Sequence, residues 1–172
     1  MANLMKLKLF KAPLALAFLL SVAGCSGFSS KLPPTAAAGL DGYNSTPDHI
    51  GQFYVNDQWG GNIYAYSGGG SYVCCLVYPR KWHEGLTATV RWATSSSNPA
   101  DPRTQTWHEK VVPIEKYEET GTRLNVHFLP NEEVRLIIWN GFAGGSNYPG
   151  PDVPKAPAGW PSWKHAGNTN RR

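Results

Sequence analysis

The chain has 172 residues, a length that predicts one globular domain. Its formal net charge of +4 comes from the N terminus, because Lys6, Lys8 and Lys11 lie in the first 25 residues and the rest of the chain has 13 basic and 12 acidic side chains. A nucleic-acid-binding protein needs concentrated positive charge to displace counterions from phosphates, so this near-neutral body argues against a nucleic-acid partner.

The first 24 residues are typical of a secretion signal. The three lysines are followed by a short apolar run, Pro13 to Leu20, and then by Val22-Ala23-Gly24-Cys25. The run is too short to span a bilayer, which takes about 20 apolar residues. The last four residues resemble the lipobox, in which the cysteine receives diacylglycerol before the signal is removed. We therefore expect a signal peptide over 1–24 and a lipid on Cys25 that binds the bilayer; the alternative is an ordinary signal cleaved elsewhere, with Cys25 incidental.

Residues 25–42 are predicted to form a lipidated, flexible tether, because the segment is rich in small, polar and proline residues. The residue after the cysteine is Ser26. In lipoproteins generally, Asp at this position retains the protein at the inner membrane. The sequence therefore predicts a lipid-anchored protein of a Gram-negative outer membrane that faces the periplasm.

Residues 43–140 are predicted to be an all-β domain. Apolar and polar residues alternate with period two, most clearly over 86–92, where Leu, Ala, Val and Trp alternate with Thr, Thr and Arg. Strands are predicted over 52–55, 62–66, 71–78, 86–92, 104–112, 124–128 and 134–138, with turns at Trp59-Gly60-Gly61, Gly68-Gly69-Gly70, Pro79 to Gly85 and Pro130-Asn131. Short strands at this spacing predict an antiparallel β-sandwich of immunoglobulin-like or related topology.

Residues 141–172 have a different character. Five Pro and six Gly in this segment exclude a central strand or a long helix. We expect an irregular Pro/Gly-rich C-terminal tail that either packs on the sandwich, through Trp160 and Trp163, or is disordered.

Sequence motifs for catalysis and metal binding are missing. A serine hydrolase needs Gly-x-Ser-x-Gly on a strand-to-helix turn, and the segments around Ser71 and Ser146 lack the final glycine. The histidines are scattered along the chain. Four pairs are expected to be surface groups near strand ends and turns: His83-Glu84, His108-Glu109, Glu118-Glu119 and Glu132-Glu133. We therefore expect no metal site, no cofactor and no enzymatic activity.

Cys74 and Cys75 are the unusual feature of the body. The compartment predicted by the signal is oxidising, which favours disulfides. In a regular strand, however, neighbouring side chains point to opposite faces, so a bond between these two requires a distorted backbone. Three alternatives remain open: a vicinal disulfide with a structural or redox role, two reduced thiols with at least one buried, and metal binding or a disulfide to another chain.

Several segments between Gly42 and Trp139 together resemble the domain of unknown function 3304 family. They are Gly42-Tyr43-Asn44, Val55-Asn56, Trp59-Gly60-Gly61-Asn62, Ser67-Gly68-Gly69-Gly70, Val73-Cys74-Cys75, Pro79-Arg80-Lys81-Trp82, Leu86 to Trp92, Val111-Val112-Pro113 and Val126 to Pro130. The glycine run leading to the two cysteines is the most specific of them. The resemblance implies a small lipoprotein of a Gram-negative bacterium, and some members of the family resemble immunity proteins encoded beside phospholipase effectors of the type VI secretion system.

An immunity protein needs the right location and a binding surface, not catalysis. We therefore expect a tethered sandwich that binds and blocks a secreted phospholipase effector, through anchors of the residue types that dominate interfaces. The candidate anchors are Trp59, Tyr64, Trp82, Trp107, Trp160 and Trp163. A structural envelope lipoprotein without toxin neutralisation is the first alternative, and a redox-active protein that uses Cys74 and Cys75 is the second.

Overall fold

The structure is a computed structural model that describes residues 32–69, 72–98 and 104–161. Within these ranges the regular structure consists of β-strands and one short 3-10 turn. The strands are β1 Thr35–Asn44, β2 His49–Val55, β3 Gln58–Ile63, β4 Ser67–Gly68, β5 Val73–Pro79, β6 Thr87–Ser95, β7 Thr106–Pro113, β8 Arg123–Phe128 and β9 Val134–Trp139, and the 3-10 turn is Pro130–Glu132. The described ranges contain no helix that is long and apolar enough to cross a bilayer.

The strands form two sheets. The larger sheet has the order β4–β1–β8–β9, with β5 also paired to β1, and the smaller sheet has the order β3–β2–β6–β7. Buried side chains from both sheets form one apolar core between them, as in a β-sandwich. The predicted all-β sandwich is confirmed. One pairing, between β1 and β8, is parallel, so the larger sheet is mixed while the smaller one is antiparallel throughout.

Strand β6 shows how the residue pattern specifies this arrangement. Ala88, Val90 and Trp92 are at most 4% exposed and face the core, while Thr87 and Arg91 point the other way and are exposed. The alternation predicted from the sequence is confirmed here. Each large apolar side chain buried in this way stabilises the fold by roughly 1.5–3 kcal/mol.

The outer face of the larger sheet is covered by the C-terminal tail. Asn125 of β8 alternates with core residues and so points outward, yet it is fully buried. Its side-chain amide donates a hydrogen bond to the carbonyl of Gly141, at 3.2 Å. Further along, Gly150 lies so close to Ile137 of β9 that a Cβ on it would be 2.4 Å from the Ile137 side chain. The tail therefore packs on the domain over 141–161, while residues 162–172, with Trp163, lie outside the described ranges.

The predicted tether is wrong over 35–42, because β1 begins at Thr35. The small residues of this segment allow neighbouring side chains to pack closely against β1; they do not make the segment flexible. A Cβ on Gly39 would lie 2.2 Å from the Tyr72 ring, and Ala38 and Leu40 are fully buried. The domain thus begins at β1 and not at residue 43, and the first half of the tether, with Cys25, falls outside the described residues.

The turn predicted at Trp59-Gly60-Gly61 is also wrong, because these residues belong to β3. The chain reverses at Asn56 and Asp57, whose φ angles are 46° and 65°. Two successive residues with positive φ match a two-residue hairpin turn, which Asn and Asp tolerate well. Gly60 is needed for packing, since a Cβ there would lie 2.1 Å from the Phe53 ring. The strand predicted over 62–66 is therefore displaced, and β3 ends at Ile63.

Candidate functional site

The outer face of the smaller sheet presents aromatic and charged side chains in a cross-strand row. Trp59 of β3 is paired with Tyr54 of β2, Tyr54 with Arg91 of β6, and Arg91 with Glu109 of β7. Paired residues point to the same side of a sheet. Since Phe53 and Val55 on either side of Tyr54 are fully buried in the core, the row faces away from it.

The guanidinium group of Arg91 holds this row together. It lies 5.8 Å from the Tyr54 ring centre and 5.3 Å from that of Trp107. Its Nε atom is 3.5 Å from the Glu109 carboxylate. Each cation–π contact at an exposed position is worth about 0.5–1 kcal/mol. These contacts favour the observed positions of the Tyr54 and Trp107 rings.

We call this surface, formed by Tyr54, Trp59, Arg91, Trp107 and Val111, the aromatic face. Trp59 is 49% exposed, Trp107 47% and Val111 65%. Trp, Tyr and Arg are the residue types that contribute most to binding at protein interfaces. A group of these residues on one side of a sheet, with Trp59 and Trp107 about half exposed, is chemically suited to bind another protein.

The family model described as protein of unknown function (DUF3304) matches residues 43–136, which is more than half of the chain. The chain belongs to the DUF3304 family. The matched segment runs from the end of β1 into β9 and includes the whole aromatic face and both body cysteines. No curated protein and no solved structure matched the chain.

Outside the aromatic face, the other predicted anchors that the structure of this DUF3304 chain describes are dispersed. Tyr64 is 42% exposed and stacks on His49 at 5.0 Å. Trp82 is half-buried against the core, and its indole N–H donates to the carbonyl of Ile114 at 2.9 Å, so it supports the fold. Trp160 of the tail is half-buried and meets the Tyr66 ring edge-on. Thus Trp59 and Trp107 are the two candidates that the structure brings to one surface.

The sequence interpretation missed Tyr54 and Arg91 as members of this surface. Both occupy the outward positions of predicted strands, so the signal was present in the alternation pattern. What the sequence lacks is the register that aligns Tyr54 with Arg91 across two strands. Candidate anchors chosen only by residue type therefore mixed surface and core positions.

Cys74 and Cys75 form a disulfide in β5, across a cis peptide bond. This is the first of the three alternatives drawn from the sequence. Cys74 is exposed and Cys75 half-buried. The Gln58 side chain of β3 donates to the Cys74 carbonyl at 3.5 Å. The bond thus lies at the edge of the larger sheet, where solvent reaches it.

We expect native full-length protein to show no free thiol at either position. Alkylation with iodoacetamide should leave Cys74 and Cys75 unmodified, and both should be labelled after treatment with dithiothreitol, because the exposed bond is accessible to an attacking thiolate. Peptide mapping by mass spectrometry measures both states. Labelling of either cysteine without reductant would contradict the disulfide.

A second group of polar residues is buried beneath the tail, on the outer face of the larger sheet. The Tyr43 hydroxyl donates to Asp41 Oδ2 at 3.1 Å and accepts the main-chain N–H of Ala143 at 3.1 Å. Arg123 approaches the same carboxylate oxygen at 2.9 Å. Burial raises the pKa of Asp41, although the hydrogen bond from Tyr43 and the positive charge of Arg123 act to lower it. Burial also raises the pKa of Tyr43, to about 12. These contacts fix the tail to β1.

His127 belongs to the same buried group. Its ring stacks on Tyr43 at 4.7 Å, and its Nε2 atom is hydrogen-bonded to the Tyr148 hydroxyl. Burial, together with the nearby charge of Arg135, lowers the pKa of His127 to about 4. The side chain is fully buried, so a ligand has no access to it. We therefore assign this group to attachment of the tail and not to ligand binding.

No set of three or more His, Cys, Asp or Glu side chains in the described ranges is arranged to hold a metal ion.

Proposed function

We propose that this protein is a membrane-anchored, periplasm-facing lipoprotein that binds and neutralises a secreted lipolytic enzyme, of the kind delivered as phospholipase effectors by type VI secretion. The observation that carries the proposal is the aromatic face. The lipobox-like segment ending in Cys25 and the resemblance of some DUF3304 members to immunity proteins support the choice of compartment and partner.

The position of β1 limits how far the domain reaches from the bilayer. With lipid on Cys25 and β1 starting at Thr35, the residues between them are 26–34. Such a segment spans at most about 30 Å even when fully extended. The start of β1 would thus stay within that distance of the membrane surface, where a lipolytic enzyme must dock to reach its substrate. Covering the docking surface of that enzyme requires no chemistry from this chain.

The residue types of the aromatic face suit the centre of such an interface. Stable protein–protein interfaces bury about 1,200–2,000 Å² in total, and a few central residues supply most of the binding energy. Trp59 and Trp107, each about half exposed, still have apolar surface to bury. Arg91, with its side chain 45% exposed, can serve both as an anchor and as the support for the rings beside it.

Trp107→Ala and Arg91→Ala variants of the full-length protein in detergent micelles test the proposal. We expect each to weaken binding to a phospholipase effector encoded beside the gene by at least about 30-fold, the effect of losing a central anchor. Isothermal titration calorimetry measures the dissociation constant. Phe142→Ala is the matched control, because Phe142 is an exposed aromatic (57%) of the tail; it should bind like wild type.

Two results would count against the proposal. If wild type forms no complex with that enzyme at micromolar concentration, the partner is wrong. If the complex forms but the three variants bind equally well, the binding face is wrong. Deleting the gene separates neutralisation from a purely structural role in the envelope, because only neutralisation predicts death on contact with toxin-bearing sibling cells.

A further inference from the structure

A pocket opens between the two sheets at one end of the sandwich, with a volume of about 280 Å³. Its floor is apolar and contains Ile50, Trp92 and Phe128. Thr94 and His108 line the same space. Both point inward with Trp92, since Thr94 lies two residues beyond it on β6 and His108 is its partner on β7. The aromatic face is on the opposite side of the same strands, so the two sites are separate.

Three polar side chains lie in contact in this pocket, in the order Thr94, His108 and Glu132. The Thr94 hydroxyl is 2.9 Å from His108 Nε2, and His108 Nδ1 is 3.2 Å from Glu132 Oε1. A carboxylate can only accept a hydrogen bond, so Glu132 favours the tautomer in which Nδ1 carries the ring proton and Nε2 is an acceptor. Thr94 then donates its hydroxyl proton to Nε2. This is the order of contacts that activates a hydroxyl nucleophile: nucleophile, base and orienting acid.

Two further features fix the positions of these three side chains. The His108 ring stacks on Trp92, at 5.0 Å between centres and 13° between planes, which fixes its orientation. Glu132 and Asn131 before it have φ angles of 57° and 61°, in the left-handed region that non-glycine residues seldom occupy. Residues held in this region cluster at active sites and ligand-binding turns. The strained turn is the one that brings Glu132 to His108.

We propose that Thr94, His108 and Glu132 form an acyl-transfer site that hydrolyses small esters. Thr94 Oγ1 attacks the ester carbonyl carbon while its proton passes to His108 Nε2. The tetrahedral intermediate collapses, the bond to the alkoxy oxygen breaks, and the alcohol leaves with the proton from Nε2. Water, activated by the same nitrogen, then attacks the acyl-threonine, so that the acid is released and the Thr94 hydroxyl restored. Glu132 is a positioning residue that holds the ring tautomer.

The pocket limits the size and polarity of the substrate. A volume of about 280 Å³ lies just below the range of roughly 300–1,000 Å³ that is usual for drug-sized ligands. The apolar floor favours a short aliphatic acyl chain, because apolar surface placed there leaves water. Carboxylates at the rim, on Asp48 and Glu133, disfavour an anionic substrate. A neutral ester of a short-chain fatty acid meets these conditions.

The test uses purified full-length protein in detergent micelles with p-nitrophenyl butyrate as the probe. We expect release of p-nitrophenol at a rate proportional to protein concentration. Thr94→Val keeps the side-chain shape and removes the hydroxyl, so it should lower kcat at least about 100-fold, as should His108→Ala, while Thr94→Ser should retain activity. Thr87→Ala and His83→Ala are controls, because both residues are exposed and lie outside the pocket lining.

Glu132→Gln should lower kcat roughly tenfold with KM unchanged, because it disturbs the tautomer of His108 and not substrate binding. The loss is smaller than for a buried acid, since the Glu132 side chain is 68% exposed. Thermal unfolding of each variant shows whether the fold is intact. Absence of turnover by wild type overturns the proposal, as does equal turnover by Thr94→Val and wild type. Either result leaves binding through the aromatic face untouched.

Discussion

Replacing Gly42 by valine is expected to lower the free energy of unfolding by about 3 kcal/mol, the upper part of the range for overpacking a core. Gly42 lies in β1, at the centre of the larger sheet, and is buried. A Cβ there would be 2.4 Å from Ile63 Cδ1 and 2.9 Å from Phe53 Cε1. Both neighbours are buried in the core, so they cannot move away without displacing other side chains. Urea denaturation followed by tryptophan fluorescence measures the difference.

Gly51→Val in β2 is the matched control. A Cβ at this position would also meet an atom at 2.4 Å, but that atom is Nε2 of the exposed Gln105 side chain, which can swing into solvent. We expect a change within about 0.5 kcal/mol, the usual range for surface substitutions. If both valine substitutions lower the free energy of unfolding equally, steric crowding against the core is not the reason for glycine at position 42.

Residue alternation predicts the local structure well where one face of a strand is solvated. Strand β6 is the clearest case, because Thr87 and Arg91 do face water while Val90 and Trp92 do not. Strand β8 is predicted from the sequence, but the sequence does not show the environment of its residue His127. Its side chain points away from the core and is nevertheless fully buried, because the tail covers that face. Period-two alternation carries no information on what a distant segment will cover.

The candidate sites depend on pairings that are remote in the sequence. Trp107 and Tyr54 are separated by more than 50 residues and meet only because β2 and β7 both pair with β6. His108 and Glu132 were interpreted as surface groups, since neither lies in a recognised motif. Catalytic triads are recognised by geometry and occur in unrelated chain orders. The residue types were visible in the sequence, whereas their proximity required the register of two sheets.

The glycines of β1 and the two cysteines also depend on contacts with distant segments that the sequence does not show. Small residues before Asp41 suggested a flexible tether, yet Gly39 is small because the Tyr72 ring occupies the space of a side chain. Neighbouring cysteines in a strand suggested several states, of which the structure shows the disulfide. In both cases one local sequence is compatible with two structures. The choice between them is made by contacts with other segments, which composition does not contain.

The free energy of unfolding should fall steeply in mild acid because of His127. Burial and the charge of Arg135 lower its pKa from 6.5 to about 4 in the folded protein, and a difference of one unit in pKa corresponds to about 1.4 kcal/mol. As the pH falls below 6.5, the unfolded chain takes up the proton first, so the free energy of unfolding drops by about 3 kcal/mol between pH 6.5 and pH 4. Burial also lowers the pKa of His49, which adds to the same slope.

Comparison with a His127→Gln variant isolates this contribution. The groups that face the ring are Tyr43 from β1, Arg135 from β9 and Tyr148 from the tail. Asp41 acts in the opposite sense, because its raised pKa favours the folded state as the pH falls. Urea denaturation from pH 4 to pH 7.5 should therefore show a shallower loss of stability for His127→Gln than for wild type, whereas the exposed His83→Gln should keep the wild-type slope. Parallel curves for all three proteins would mean that His127 accepts a proton without unfolding, and that the tail, which supplies Tyr148, does not shield it from water.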